Sequence, residues 1–375
     1  CNSTLVQSNC IRRNACRRHN HMKRRTSTTT ATSTCVWRVN NASLLPIDAN
    51  YPLARTHIVI EGSSAPVISG RVSEFARLYS LATEKTPDAP HRLRCTTDSS
   101  LVFEINLWKK ECINGNGGDI IVEICRRSGC SVEFRRVRCL LSKAVISGNK
   151  NTANGIKNTA PISLVPTRRP SPIELRTVIQ HAQTACDLIC KRGQTQDIIT
   201  GLRMLAFLTD PNKTNRMFAS GVCNMILTGV TIFGQRTEGR EALYNHVLNC
   251  DGSTVHQYAL KVLGNVLDLV SKKQQKYKEG TLDMWGNIVP SLVRDMETAR
   301  SNPHAACNAM RCLRLLYVMQ GARYPSIGDS MRLDMSSIRT ITGQVWTYGK
   351  VNHVALEQEA REIIKMMNPG LAAHA

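Results

Sequence analysis

Residues 101–145, LVFEINLWKKECINGNGGDIIVEICRRSGCSVEFRRVRCLLSKAV, contain two alternating segments, a turn rich in Gly and Asn, and one helical repeat. Leu101, Phe103, Ile105 and Leu107 alternate with Val102, Glu104, Asn106 and Trp108, the period-two pattern of a strand with one face on a core. Residues 114–118 supply the turn. Ile120, Val122 and Ile124 then repeat the alternation up to Arg126, and Ser128 and Gly129 end the strand. From Ser131 the spacing becomes helical: Phe134, Val137, Leu141 and Val145 share one face, with Leu140 and Ala144 beside them, while Arg135, Arg138 and Ser142 line another. Upstream, residues 72–82 have helical spacing that prolines 87 and 90 stop, and residues 92–96 read as a short strand. The expected architecture is α+β, an antiparallel sheet packed by helices on one side, over residues 55–147.

Two composition changes bound this domain. Residues 1–50 form a tail of Arg, Asn, Ser and Thr, too polar to offset the entropy of ordering, and are expected to be disordered. Cys10, Cys16, His19 and His21 lie in it at a spacing that fits no familiar zinc finger. Residues 148–170, rich in Asn, Gly, Ser, Thr and Pro, read as a linker. From residue 171 to 370 the pattern is helical throughout. Ser171, Pro172 and Glu174 have the form of a capping box with proline at the first helical position, and Gly193 is the expected cap at the far end of that helix. About eight successive helices with no strand between them indicate an all-α solenoid or irregular bundle.

A chain of 375 residues that is 42% hydrophobic can bury more than one core. Its 49 Lys and Arg exceed its 28 Asp and Glu by 21, a balance that favours anionic lipid, nucleic acid or acidic protein surfaces. No apolar run is long enough to span a membrane and no secretory signal opens the chain, so a cytoplasmic protein, peripheral to the membrane where it binds lipid, is expected. The opening Cys1 suggests a fragment. Fifteen cysteines is an odd number, and Cys186, Cys190, Cys223, Cys307 and Cys312 fall within apolar patterns, as buried reduced thiols do.

The segment 120–145, with Arg126, Arg127, Ser128 and Gly129 leading into an amphipathic helix, resembles the kinase-associated domain at the C-terminal end of microtubule-affinity-regulating kinases. That resemblance implies a curved sheet packed by two helices, binding to anionic phospholipid and contact with a kinase domain. Arg126, Arg127, Arg135, Arg136 and Arg138 would be the lipid-facing group, joined by Lys109 and Lys110 at the end of the neighbouring strand. Downstream, Ala259, Leu263, Asn265 and Leu267 fall in the arrangement of an armadillo-type helix, so the second domain resembles degenerate armadillo or HEAT repeats whose concave face would bind a protein or peptide.

No catalytic constellation accompanies these features. Residues 115–118 lack the Lys-Ser/Thr of a phosphate loop and precede a strand rather than a helix. His246 and His256 flank a loop with no Asp partner evident and no nucleophile in an elbow, and kinase signatures are absent. Cys186 and Cys190, one turn apart, have no second pair to complete a metal site. Neither a metal nor a cofactor is expected. The expectation is a non-catalytic scaffold. The alternatives are the regulatory end of a serine/threonine kinase whose catalytic part lies upstream, and a nucleic-acid-binding protein.

Overall fold

Alternation in residues 101–128 becomes the two central strands of a five-stranded antiparallel sheet. The computed structural model describes residues 36–48, 51–110, 119–147, 171–191, 194–230, 234, 236–249, 253–272, 287–322 and 335–367. Its strands are β1 (Ile58–Ile60), β2 (Ala82–Thr86), β3 (Ala89–Thr96), β4 (Val102–Lys109) and β5 (Ile120–Ser128), in the order β1-β5-β4-β3-β2. Register sets Leu93 against Ile105, Ile105 against Ile124 and Leu107 against Val122, so these side chains rise from one face. Helices α1 (Ala65–Leu78) and α2 (Ser131–Ser147) supply Phe75, Val72, Val137 and Leu141 to the same buried core. Each large apolar side chain fully buried there contributes about 1.5–3 kcal/mol, which fixes the face that the helices cover.

Several boundaries differ from the sequence expectation. The helix read over residues 72–82 begins at Ala65, with Pro66 in its first turn, and stops at Leu78. Ser80 then takes a left-handed φ of 53°, and Ala82 opens β2 instead of closing the helix. Residues 36–48, assigned to the tail, pack on the sheet: Trp37, Val39 and Leu44 are buried, and Trp37 Nε1 donates to Pro90 O at 2.9 Å. Apolar residues in 36–48 fall in no sustained period of two or 3.6, so the gap they fill reveals them. The turn at 114–118, residues 1–35, the linker at 148–170, Cys10, Cys16, His19, His21 and Gly193 lie outside the described residues.

The other sheet face is organised by one carboxylate. Glu123 is buried and accepts from Ala54 N at 2.9 Å, Asn106 Nδ2 at 3.0 Å, and Trp108 Nε1 and Tyr51 Oη at 3.2 Å. Burial alone would raise its pKa, but these donors outweigh burial and hold it below the usual carboxylate range. The segment carrying Tyr51 and Ala54 is thereby strapped across the sheet.

Residues from 171 onward form nine helices among those described: α3 (Pro172–Cys190), α4 (Thr195–Leu208), α5 (Arg216–Thr228), α6 (Gly239–Asn249), α7 (Thr254–Lys272), α8 (Val289–Glu297), α9 (Pro303–Ala322), α10 (Met335–Asn352) and α11 (Val354–Met367). The capping box is present in full: Glu174 N donates to Ser171 Oγ, and Ser171 N donates to the Glu174 carboxylate. Eight of these helices pack as four pairs, α3 with α4, α6 with α7, α8 with α9 and α10 with α11, and α5 packs where the first two pairs meet, against α3 and α7. Within the stack, α4, α7, α9 and α11 touch in that order as one layer, while α3 meets α6 and α8 meets α10 in the other. A second core runs through this stack from Ile179 to Ile363.

Residues 36–375 nevertheless form one compact unit. The β3–β4 turn meets the N-terminal ends of α7 and α9. Gln257 Nε2 donates to Asp98 O at 3.2 Å, Tyr258 Oη donates to Ser99 O at 3.0 Å, and Lys261 pairs with the Asp98 carboxylate. Beside them, Leu356 N donates to His353 Nδ1 at 3.1 Å, which leaves the proton of His353 on Nε2. That nitrogen lies 3.3 Å from His304 Nδ1, and His304 Nε2 lies 3.0 Å from Thr96 O. A single chain of donors therefore runs from α11 to the sheet only while both imidazoles are neutral. Burial lowers both pKa values, that of His353 to about 3.

The unfolded chain protonates these histidines near 6.5, whereas the folded chain does not, so their contribution is complete above about pH 6.5 and falls as the pH drops toward 3. His353, held neutral through that window, costs on the order of 1 kcal/mol per pH unit, and His304 adds to the loss in the same direction. Urea unfolding between about pH 7.5 and about pH 5 is expected to show this loss, and His353→Gln is expected to flatten the profile.

Candidate anionic-ligand interface

Gly129 decides where α2 begins and which way it runs. Its φ is +96°, and a Cβ there would lie 2.6 Å from Leu101 Cα, so only glycine lets β5 turn directly into a helix against the start of β4. Arg126 Nη1 donates to Gly129 O at 2.8 Å and closes the turn. At the other end of the helix, Arg71 Nη1 donates to Val145 O at 2.6 Å. Val137, Leu141 and Val145 face the sheet.

The opposite face of α2 is open. Val132 is 76% exposed and Ile146 60% exposed, and Cys139 lies exposed midway between them. The spacing 132, 139, 146 is a heptad repeat, which places all three along one stripe about 21 Å long. Arg135, Arg136 and Lys143 are exposed alongside it, and Arg138 is half-buried. Among the described residues none of these four cations joins an ion pair. The one acidic residue of the helix, Glu133, is turned away and accepts from Thr97 Oγ1 at 3.0 Å and from the Ser99 hydroxyl.

The seven basic residues singled out from the sequence are not one patch. Arg135, Arg136 and Arg138 come together on α2, with Arg126 at its base. Alternation along β5 puts Arg127 on the other sheet face from Arg126, with Glu123 and Cys125, and there it pairs with Glu104 at 2.7 Å. Lys109 and Lys110 lie at the opposite end of the same ladder, about 24 Å away along the strand. Lys110 pairs with Asp119 at 3.4 Å, and Lys109 lines a cavity of about 350 Å³ with Asn41, Gly62, Ser63 and Ser64. Val132, Lys143 and Ile146 are the members that sequence reasoning missed; the seven-residue spacing was the available signal.

The structure also corrects the reading of His256. Asp295 is its partner, with both carboxylate oxygens 2.8 Å from Nε2, while Nδ1 lies 3.2 Å from His246 O. Both ring nitrogens thus face acceptors in a buried setting, leaving neither to accept a proton from a nucleophile. The pair ties α7 to α8. Cys186 and Cys312 are buried thiols whose pKa burial pushes up to about 12, and none of the nine described cysteines is in a disulfide. The described residues contain no group of metal-binding side chains and no helix long and apolar enough to cross a membrane.

Gly129→Ala is expected to destabilise the protein by about 2–4 kcal/mol, through left-handed strain and a backbone clash that no side-chain motion relieves, measurable by urea denaturation. Comparison with protein-family models, with curated proteins and with solved structures finds no match.

Proposed function

We propose that this protein is a non-catalytic scaffold that attaches to anionic phospholipid through the outer face of α2 and binds a protein partner through its helical stack. The observation that carries the reading is the α2 stripe, in which exposed Val132 and Ile146 are flanked by Arg135, Arg136, Arg138 and Lys143 with no ion-pair partner among the described residues. An amphipathic helix of this kind lies in the plane of a membrane surface, its apolar residues among the acyl chains and its cations on the headgroups. Each cation near an anionic surface contributes about 1 kcal/mol, so the four together contribute about 4 kcal/mol, weakened by salt.

The resemblance to kinase-associated domains is supported by an antiparallel sheet with two helices on one face. Four stacked helix pairs support the armadillo-like or HEAT-like reading of the second half. One residue of the armadillo-type pattern is polar and ties α7 to its neighbours. Asn265 is buried, donating to Ala206 O and Thr209 Oγ1 and accepting from Arg311 Nη1.

Co-sedimentation of the full chain with phosphatidylcholine vesicles, with and without phosphatidylserine, tests the lipid role. Binding is expected only with the anionic lipid. Arg135→Ala, Arg136→Ala and Lys143→Ala combined are expected to weaken it about 100-fold, and Val132→Ser with Ile146→Ser to weaken it at equal charge. Equal binding to both vesicles, or unchanged binding by the variants, would sink the reading. Salt-sensitive binding to RNA without lipid preference would favour the nucleic-acid alternative.

A further inference from the structure

We infer that the free face of the α3–α4 pair is a docking cleft for an acidic, amphipathic helical segment of a partner protein. The inference rests on the reading of the helical stack as a partner-binding module and assigns that binding to one face of it. Each inner pair of the stack has a helix pair on both sides, whereas α3 and α4 meet one pair only, together with α5, which packs on the Leu175 and Ile179 side of α3. Asn265 of α7 bonds to Ala206 and Thr209, which fixes the side of α4 that faces the stack. Gly201 faces α3 so closely that a Cβ would lie 2.6 Å from Ala185 O. Thr200, Arg203, Met204 and Phe207 point away from α7, and with His181 and Leu208 they line a cleft of about 570 Å³.

A terminal pair that faces only water is normally polar on its outer side. Here Phe207 is 52% exposed at the rim of an apolar cleft, within the size range that receives bulky anchoring side chains. Helix-in-groove recognition uses such clefts, with apolar anchors spaced along one face of the incoming helix.

Charge selects the occupant. Arg203 is exposed beside Phe207, one helical turn away, and has no carboxylate partner among the described residues. A second copy docking through this face about a two-fold axis would bring the same cations together. The preceding segment 148–170 holds Lys150, Lys157, Arg168 and Arg169 and no acidic residue, so it would also bring like charge. An acidic partner complements the site, and its apolar face fills the cleft while a carboxylate meets Arg203.

Fluorescence anisotropy with the full chain tests this. The probe is a labelled synthetic amphipathic helix about four turns long, Leu on one face and Glu on the flanks, compared with the same peptide carrying Lys for Glu. The acidic peptide is expected to bind and the basic one not to. Arg203→Glu and Phe207→Ser are each expected to weaken binding about tenfold or more, whereas Arg300→Glu, a matched charge reversal at an exposed residue elsewhere, is expected to change it little. Thermal melting of each variant checks its fold, and Arg203→Glu carries the test if Phe207→Ser does not fold. No binding of the acidic peptide, or equal loss with Arg300→Glu, overturns the cleft. Binding that survives both cleft variants overturns it too but leaves partner binding by another face of the stack in place. A dimer abolished by Arg203→Glu in sedimentation velocity would overturn the acidic-partner assignment in favour of a second copy.

Discussion

The turn between β3 and β4 joins two hydrophobic cores that do not merge. Residues 96–99 present backbone carbonyls and one carboxylate to the N-terminal ends of α7 and α9, and the matching groups are Gln257, Tyr258, Lys261 and His304. On its other side the same turn donates hydroxyl hydrogens to Glu133 in the first turn of α2. A five-residue connection thus fixes the helical stack, the sheet and α2 against one another, and it does so with directional polar contacts. Polar joints of this kind are specific in geometry because each buried group left unpaired costs about 1–3 kcal/mol.

Across the rest of the molecule, charges divide into those satisfied internally and those that are not. In the stack, Arg314 meets Glu359, Arg311 meets Asp268 and Asn265, and His256 meets Asp295, so neighbouring helices are cross-linked. On the sheet, Arg127 and Glu104 neutralise each other and Glu123 is saturated with donors. The outer face of α2 and the free face of α3–α4 differ in pairing apolar exposure with cations that have no ion-pair partner among the described residues. Those two surfaces set five cations, Arg135, Arg136, Arg138, Lys143 and Arg203, beside exposed apolar side chains.

The strands β4 and β5, the helix α2 and the helical character after residue 171 were legible in the sequence because periods of two and 3.6 follow directly from backbone geometry. The capping box at Ser171 was legible for the same reason: it needs only residues three positions apart. Less visible were β1, three residues long, and α10, whose buried positions are few in a polar context. The packing of Trp37, Val39 and Leu44 was invisible, since they fill a gap made by residues far along the chain.

The candidate surface was half legible. Clustering of arginine near α2 could be read from residues 126–138, and period-two alternation already puts Arg126 and Arg127 on opposite faces, but local sequence carries no information on which carboxylate Arg127 meets or on how far Lys109 lies from both. It could also not pair His256 with Asp295, or His304 with His353, because each partnership spans about 40 to 50 positions and exists only once helices stack. Local periodicity and turn chemistry set the elements of this protein and the faces they bury. Long-range packing decided which charges are neutralised across elements and how the sheet and the helical stack become one unit, because those partners meet only once the elements are stacked.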